Sequence, residues 1–563
     1  MHHHLGLRAK VIIMVSVMAS LFLVALDQTI IATALGRIVE EFNAFDSLSW
    51  IVTAYMLTTT VTVPLAGKLS DLFGRRTLLL IGVSIFGVGS LLSGLSGSID
   101  QLIIWRALQG IGGGIITANA FTIVGDLFAA RERGKWQGMI GAVFGLSSVV
   151  GPLLGGWLTD GHGLFGITTD WRWTFFINVP VAIVALVLIA IYCPALRHDK
   201  KPSIDYRGAA LLTLGLATLI LAVDNTETIF ADLLASTGLT LAGLRAVMYA
   251  VVLLALAGFV LVERRAAEPI VPLRFFKNRN FVLIMGIAAL FGSAFMGAIL
   301  YLTQFNQQVF AATPTESGLM LLPMVGGLMA TSIISGQIIS RTGRYKIFMQ
   351  VGIVVSTVMV ALLATLTPQS PYWYEAVIMT VMGAGLGVVM PVMNLAVQAE
   401  FRQHDLGAAT SSSQLFRGLG STIGIAIFGA VLTTGLVGHL GNMSDDAYVK
   451  AIQSSPAGSQ LVADASDVNT LLNLNMPEAK QRVTDGFAQA VSGIPVSVRE
   501  QAQADFAAKQ QAYSDRIVAA FSDSLRTIFV VSGCLMALAS LLVFAIKERP
   551  LHAADPSEAP GVA

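Results

Sequence analysis

The sequence predicts an all-α polytopic membrane protein with fourteen membrane-spanning helices. Three observations carry that reading. Of 563 residues, 55% are hydrophobic and only 12% charged, whereas a soluble globular protein carries about 25% charged residues. Apolar runs near the roughly 20 residues that a helix needs to cross hydrocarbon recur fourteen times. Lysine and arginine gather in alternate connections between those runs, as the positive-inside rule requires of short loops.

The runs fall at about 11–35, 48–69, 77–96, 100–128, 137–159, 173–195, 207–224, 244–263, 281–305, 315–340, 347–366, 372–398, 408–436 and 522–546. The first is about 25 residues long, too long for a signal-peptide core, and no small-residue cleavage site follows it. The opening "MHHHLGLRAK" is natural or a remnant of a tag, and its histidines are set aside. An even count puts both termini on one side. The loops on that side hold Arg75, Arg76, Arg131, Arg133, Lys135, Arg264, Arg265, Arg341, Arg344 and Lys346, among others, while the short loops opposite offer little beyond Arg37 and Arg172. Both termini are therefore expected in the cytoplasm, with the protein in a bacterial cytoplasmic (inner) membrane. Cys193 and Cys534 lie in apolar runs without metal-ligand spacing and are expected to be free, buried thiols.

"GKLSDLFGRR" after the second run and "GQIISRTGRY" after the tenth share the pattern G-x-x-x-[DS]-x-x-G-R. Each follows two spans of a six-span block. The chain then divides into an N-terminal six-helix bundle (1–195), a linker with two additional spans (196–280) and a C-terminal six-helix bundle (281–563). Two related halves with a site between them is a transporter architecture. The polar connection at about 437–521 reads as helical, with a short helix near Pro477 and a longer one that joins or precedes the last span. It is either an extracellular cap or a docking surface for an accessory protein.

Three stretches carry chemistry. In "LFLVALDQTIIATAL" an acid, Asp27, sits inside an apolar run, and in "WRALQGIGGGIITANA" Arg106 lies a turn or two inside the fourth span. Each charge is costly in hydrocarbon. Counting about 1.5 Å per residue puts both in the same half of the membrane, so they are expected to be neighbours, with Gln109 on the arginine's face. A static ion pair is one reading. The other is a proton carrier, because burial raises and Arg106 lowers the proton affinity of Asp27, leaving it switchable by water access. No other acid competes with Asp27 in this reading. Arg417 in the thirteenth span either faces a cavity or reaches toward the cytoplasm.

In the first loop, Gly67 allows close helix approach and Gly74 a chain reversal. Asp71, Arg75, Arg76 and Asp126 can form a cytoplasmic ion-pair cluster that latches one conformation. "GMIGAVFGLSSVVGPLLGGW" in the fifth span, with Gly151, Pro152, Gly155 and Gly156, combines close packing with a kink.

Taken together these residues resemble the major facilitator superfamily, and more closely its fourteen-helix drug:proton antiporter family. "LDQTIIATAL", "GKLSDLFGRR", "RALQGIGGG" and "GPLLGG" are similar to that family's motifs, although Ser147 stands where a glycine is usual. "WRWTFFINVP" (171–180) and "ERRAAEPIVPLRFF" (263–276) also resemble family signatures. The resemblance spans about Val11 to Arg549 and implies a major-facilitator-type fold, two six-helix bundles plus two inserted helices. It also implies multidrug efflux, hence antibiotic resistance, by alternating access in exchange for protons. Asp27, Arg106 and Gln109 would couple protons, the Asp71 cluster would form the latch, and 151–156 the antiporter motif. The long loop inherits no role.

The expected function is export of lipophilic drugs, cationic or neutral, with a dedicated exporter of a natural lipid, siderophore or secondary metabolite as the alternative. The partners expected are the lipid bilayer, small lipophilic substrates and protons, without nucleic acid, since the formal net charge is only +1. No cofactor is expected, the proton gradient being the driving force. No P-loop or HExxH supports an enzyme. Phe291, Phe295, Tyr301, Gln304, Asn394 and Gln414 are the expected cavity residues.

Overall fold

Within hydrocarbon a backbone has no water to bond, and a helix satisfies its N–H and C=O groups internally. The computed structural model follows that rule. It describes residues 6–42, 48–159, 163–164, 167–193, 205–223, 226–310, 312, 314–402, 405–440, 443–453, 468–475, 477–493, 495–549 and 551, apart from a few side chains. Fourteen described helices are long and apolar enough to cross a membrane. They are α1 (Leu7–Phe42), α2 (Leu48–Phe73), α3 (Arg75–Gly94), α4 (Ile99–Leu127), α5 (Ala130–Thr159), α6 (Asn178–Tyr192) and α7 (Tyr206–Val223). The remainder are α8 (Leu241–Glu263), α9 (Arg279–Val309), α10 (Leu322–Thr342), α11 (Lys346–Leu363), α12 (Tyr372–Glu400), α13 (Leu406–Leu440) and α14 (Val496–Phe544). A minimal β1–β2 hairpin pairs Gly163–Leu164 with Ile167–Thr168. Outward side chains are apolar, as lipid-facing ones are: Leu254 on α8 and Leu541 on α14 are 74% and 69% exposed.

Two apolar cores organise the helices. One gathers Val17, Leu21, Phe86, Ile116, Phe121 and Ile189 from α1, α3, α4 and α6; the other gathers Phe291, Met382, Phe428 and Phe529 from α9, α12, α13 and α14. Between them run two seams, α5 against α10 and α2 against α13. If spans 1–6 correspond to spans 9–14, exchanging the halves turns one seam into the other. Small residues bring the backbones together there. A Cβ on Gly138 would lie 2.2 Å from the Ser332 carbonyl, and one on Gly67 2.2 Å from Ser411 Oγ. The inserted pair α7 and α8 pack on each other and lean on α2.

Both described chain ends lie at one end of the bundle. Lys10 sits over the Phe128 ring at 5.4 Å, and the Leu551 N–H donates to the Gly343 carbonyl at 3.1 Å. This end carries Arg75, Arg133 and Arg344 and is called the basic end below. Both repeated loops turn there on glycines with positive φ, Gly74 at 90° and Gly343 at 71°.

The structure decides one open alternative and overturns one expectation. The last span and the helix before it are one helix of 49 residues, about 73 Å at 1.5 Å per residue, so it stands well clear of a bilayer at its N-terminal end. That projecting stretch brings Phe506, Tyr513 and Ile517 to Tyr448, Val449, Ile452, Leu471 and Leu474, giving the long connection its own apolar core. The predicted short helix there is Pro477–Ala490, while 454–467 lie outside the described residues. Cys534 is exposed, unlike the buried Cys193, because its side of α14 faces outward.

Candidate functional site

The two costly charges meet. Arg106 on α4 donates from Nη1 to Asp27 Oδ2 at 2.5 Å, and both side chains are within 1% of complete burial. Gln109, one turn on, closes a triangle. Its Nε2 donates to Asp27 Oδ1 at 2.9 Å, and its Oε1 accepts from Arg106 Nη1 at 2.9 Å. The i,i+3 spacing on α4 makes that possible. Further groups complete the shell. Asn178, the first residue of α6, donates to Asp27 Oδ1 at 3.4 Å and to Ser90 Oγ at 3.0 Å. The guanidinium lies over the Tyr55 ring at 4.3 Å, with Phe175 at 5.7 Å. Ser16 and Ser20 on α1 bond back to carbonyls of their own helix.

A second cluster sits at the basic end. Arg75 donates from Nη2 to Asp71, from Nη1 to Ser70 Oγ, and from Nε to Asp126 Oδ2 at 2.7 Å. The Asp71 carboxylate also reaches the opposite half, accepting the Gly407 N–H at 3.2 Å and the Ala408 N–H at 3.0 Å. Those amides open α13, and a helix N-terminus presents unpaired donors and a positive dipole end. Asp71 therefore links the two halves across the α2–α13 seam. Arg76 departs from expectation: it donates to the Ala190 carbonyl at 2.6 Å, away from the acids, because it points along the outer side of α3 toward α6.

Of the antiporter-motif residues, Gly151 lets α5 touch α1. A Cβ there would fall 2.0 Å from Thr29 Oγ1, and Thr29 donates to the Ser147 carbonyl at 3.0 Å. Gly155 is buried and Gly156 partly so. The side chain of Pro152 lies outside the described residues.

Of the expected cavity residues, Phe291, Phe295 and Tyr301 share one apolar core. Phe291 and Phe295 stack at 5.6 Å, and Tyr301 packs edge-on against Phe428. Gln304 is partly buried. Asn394 and Gln414 are hydrogen-bonded at 2.9 Å, and Gln414 Oε1 accepts from Arg417 Nη2 at 2.7 Å. Arg417 thus bonds back to Gln414, one turn nearer the start of α13.

Asp27 also has company. Glu263 at the end of α8 is 3% exposed and accepts the Ile270 N–H at 3.0 Å. Glu375, one turn into α12, is fully buried, and among the described residues neither of its oxygens has a partner of normal hydrogen-bond geometry. Asn306 of α9 lies beside it, also without a side-chain partner of normal hydrogen-bond geometry. The expectation of one acid therefore fails. Glu375 stands near a span boundary in "PYWYEAV", where an acid reads as an interfacial residue until its burial is seen.

Fourteen described spans with two seams, a charge pair buried between helices and a carboxylate that bridges the halves at one end define a multi-pass membrane protein built like a transporter. The profile of the Major Facilitator Superfamily matches residues 17–425, and the chain belongs to that superfamily. It is 34% identical over 494 residues to the multidrug transporter protein MdtP of Bacillus subtilis, covering 86% of this chain and 87% of that one. It is 30% identical to the acurin A biosynthesis cluster transporter of Aspergillus aculeatus, over 77% and 76% of the two chains. The structure of the proton:xylose symporter XylE shares the fold, with a TM-score of 0.55, 14% identity and coverage of 76% and 90%.

Proposed function

We propose that this protein exports lipophilic compounds from a bacterial cytoplasm in exchange for protons, with Asp27 as the proton carrier and both termini cytoplasmic. One observation carries the reading: a carboxylate buried within the membrane, held by one arginine and two amides that can rearrange. Protonating Asp27 removes the attraction that fixes Arg106, freeing α4 to shift against α1. Deprotonation restores the pair. The Asp71 latch closes the basic end in one conformation and must open in the other, and the small-residue seams are the surfaces on which the halves rock. The likeness to a multidrug transporter supports drugs as substrates. The acurin-cluster relative favours the second reading, a dedicated natural product. Proteoliposome efflux of fluorescent lipophilic compounds, with and without an imposed pH gradient, tests the proposal. Gradient-dependent efflux across a broad panel supports drug export, and response to a single compound the second reading. Efflux indifferent to the gradient overturns proton exchange.

A further inference from the structure

Arg417 is an arginine without an acid. It lies eleven residues past Leu406 in α13, about 16 Å along the helix and so near the middle of a hydrocarbon core of about 30 Å. Arg75 and Arg106 each meet carboxylates, but among the described residues no acid pairs with Arg417. Its Nε and Nη2 both donate to Gln414 Oε1, at 3.2 and 2.7 Å, and among the described residues Nη1 meets no acceptor. Protein surrounds the side chain, yet part of its surface stays accessible.

The neighbours aim it. Asn394 Nδ2 is taken by the Met390 carbonyl at 3.3 Å, so Asn394 Oδ1 is left to accept from Gln414 Nε2 at 2.9 Å. That bond turns Gln414 Oε1 toward Arg417 and holds one edge of the guanidinium. The remaining edge keeps its donors. α9 packs directly on α13 at this level: a Cβ on Gly292 would lie 2.2 Å from the Arg417 carbonyl, and the stacked Phe291 and Phe295 flank Gly292 on the same stretch. A free planar fork of donors suits a carboxylate, and an unpaired cation at this depth is costly until an anion joins it.

We infer that Arg417, aimed by Gln414 and Asn394, docks an anionic group, a carboxylate, on lipophilic substrates. The inference rests on the exporter reading and extends its substrate range from neutral and cationic compounds to lipophilic acids and zwitterions. Exporting a monoanion against one entering proton moves two positive charges' worth inward. Such substrates should respond to membrane potential more steeply than neutral ones.

The test uses a lipophilic fluorescent carboxylic acid and its neutral primary amide, measured for binding to the purified full chain in nanodiscs at neutral pH. Wild type is expected to prefer the acid by about tenfold or more, the scale of one charged hydrogen-bonded contact. Arg417→Gln should bring the ratio to about one, and Arg417→Lys should keep part of it, a point charge without the fork. A wild-type ratio near one overturns the inference whatever the variants do. So does a ratio in Arg417→Gln equal to that of a folded wild type. Gradient-driven efflux of the amide is scored separately. If the amide is exported and the acid is not preferred, the carboxylate site is wrong and the exporter reading stands. If the acid is preferred but neither compound moves with the gradient, the exporter reading is wrong and the site stands.

Discussion

Asp27 and Arg106 neutralise each other within an apolar bundle, and stranding either partner of such a pair costs about 3–5 kcal/mol. Asp27→Asn keeps an acceptor oxygen for Arg106 and loses the titratable proton. It is expected to fold with a modestly lowered Tm, to bind substrate, and to show no gradient-driven efflux above empty liposomes. Arg106→Ala should also uncouple, with Arg106→Lys restoring part of the activity, since lysine keeps the charge without the fork that spans Asp27 and Gln109. Thermal unfolding of the purified variants separates lost coupling from lost folding. This pair was legible because charges in apolar runs stand out and helical counting gives their depth. Asn178 and Tyr55 were not. A neutral amide at a helix start and an aromatic ring in a span carry no signal until the fold brings them across to Asp27 and Arg106.

Helices are tied at both ends of the bundle by contacts of different kinds. Opposite the basic end, near the end of α1, Glu41 accepts Trp171 Nε1 at 2.5 Å and Arg172 Nη1 at 3.0 Å. The Arg172 guanidinium, more than the indole, holds the Glu41 carboxyl below the usual carboxylate range against the effect of its partial burial. A lowered folded value means the stabilisation is fully present above the unfolded value of about 4.3 and is lost as pH falls through the folded one. The carboxylate is 43% exposed, so Glu41→Gln should cost only about 0.5 kcal/mol at neutral pH. That difference should vanish in acid, as read by unfolding at two pH values. At the basic end, Asp71→Asn should weaken the tie to Gly407 and Ala408, and Gly138→Ala should push α5 from Ser332. Both are expected to shift inter-half distances, read by paired spin labels on α5 and α10, toward a form open at the basic end. Unchanged distances in both would leave the latch without a role. The loop motif announced Asp71, but its receptors are backbone amides 336 and 337 residues away, which no side-chain pattern reveals.

Across the whole molecule, fourteen helices followed from hydropathy alone, because the bilayer fixes their length and composition. The continuous α14 and its separate apolar core were harder to read. Polar, alanine-rich sequence shows a helix without showing what it packs on. Charge movement is a property of the complete cycle. If Asp27 alone carries the proton, exchanging one proton for one monocation moves no net charge, whereas a dication must leave against an interior-negative potential at about 2.3 kcal/mol per charge per 100 mV. Monocations and neutral compounds should therefore be exported better than dications in liposomes with clamped potentials. Efficient dication efflux would bring in a second carrier, and the buried Glu375 is the residue to examine. The most direct measurement concerns the proton itself: substrate is added to the detergent-purified protein in weakly buffered solution, and proton release is followed with a pH indicator. The account predicts release from wild type and from Glu375→Gln, and none from Asp27→Asn. Release from Asp27→Asn equal to that of wild type would contradict it.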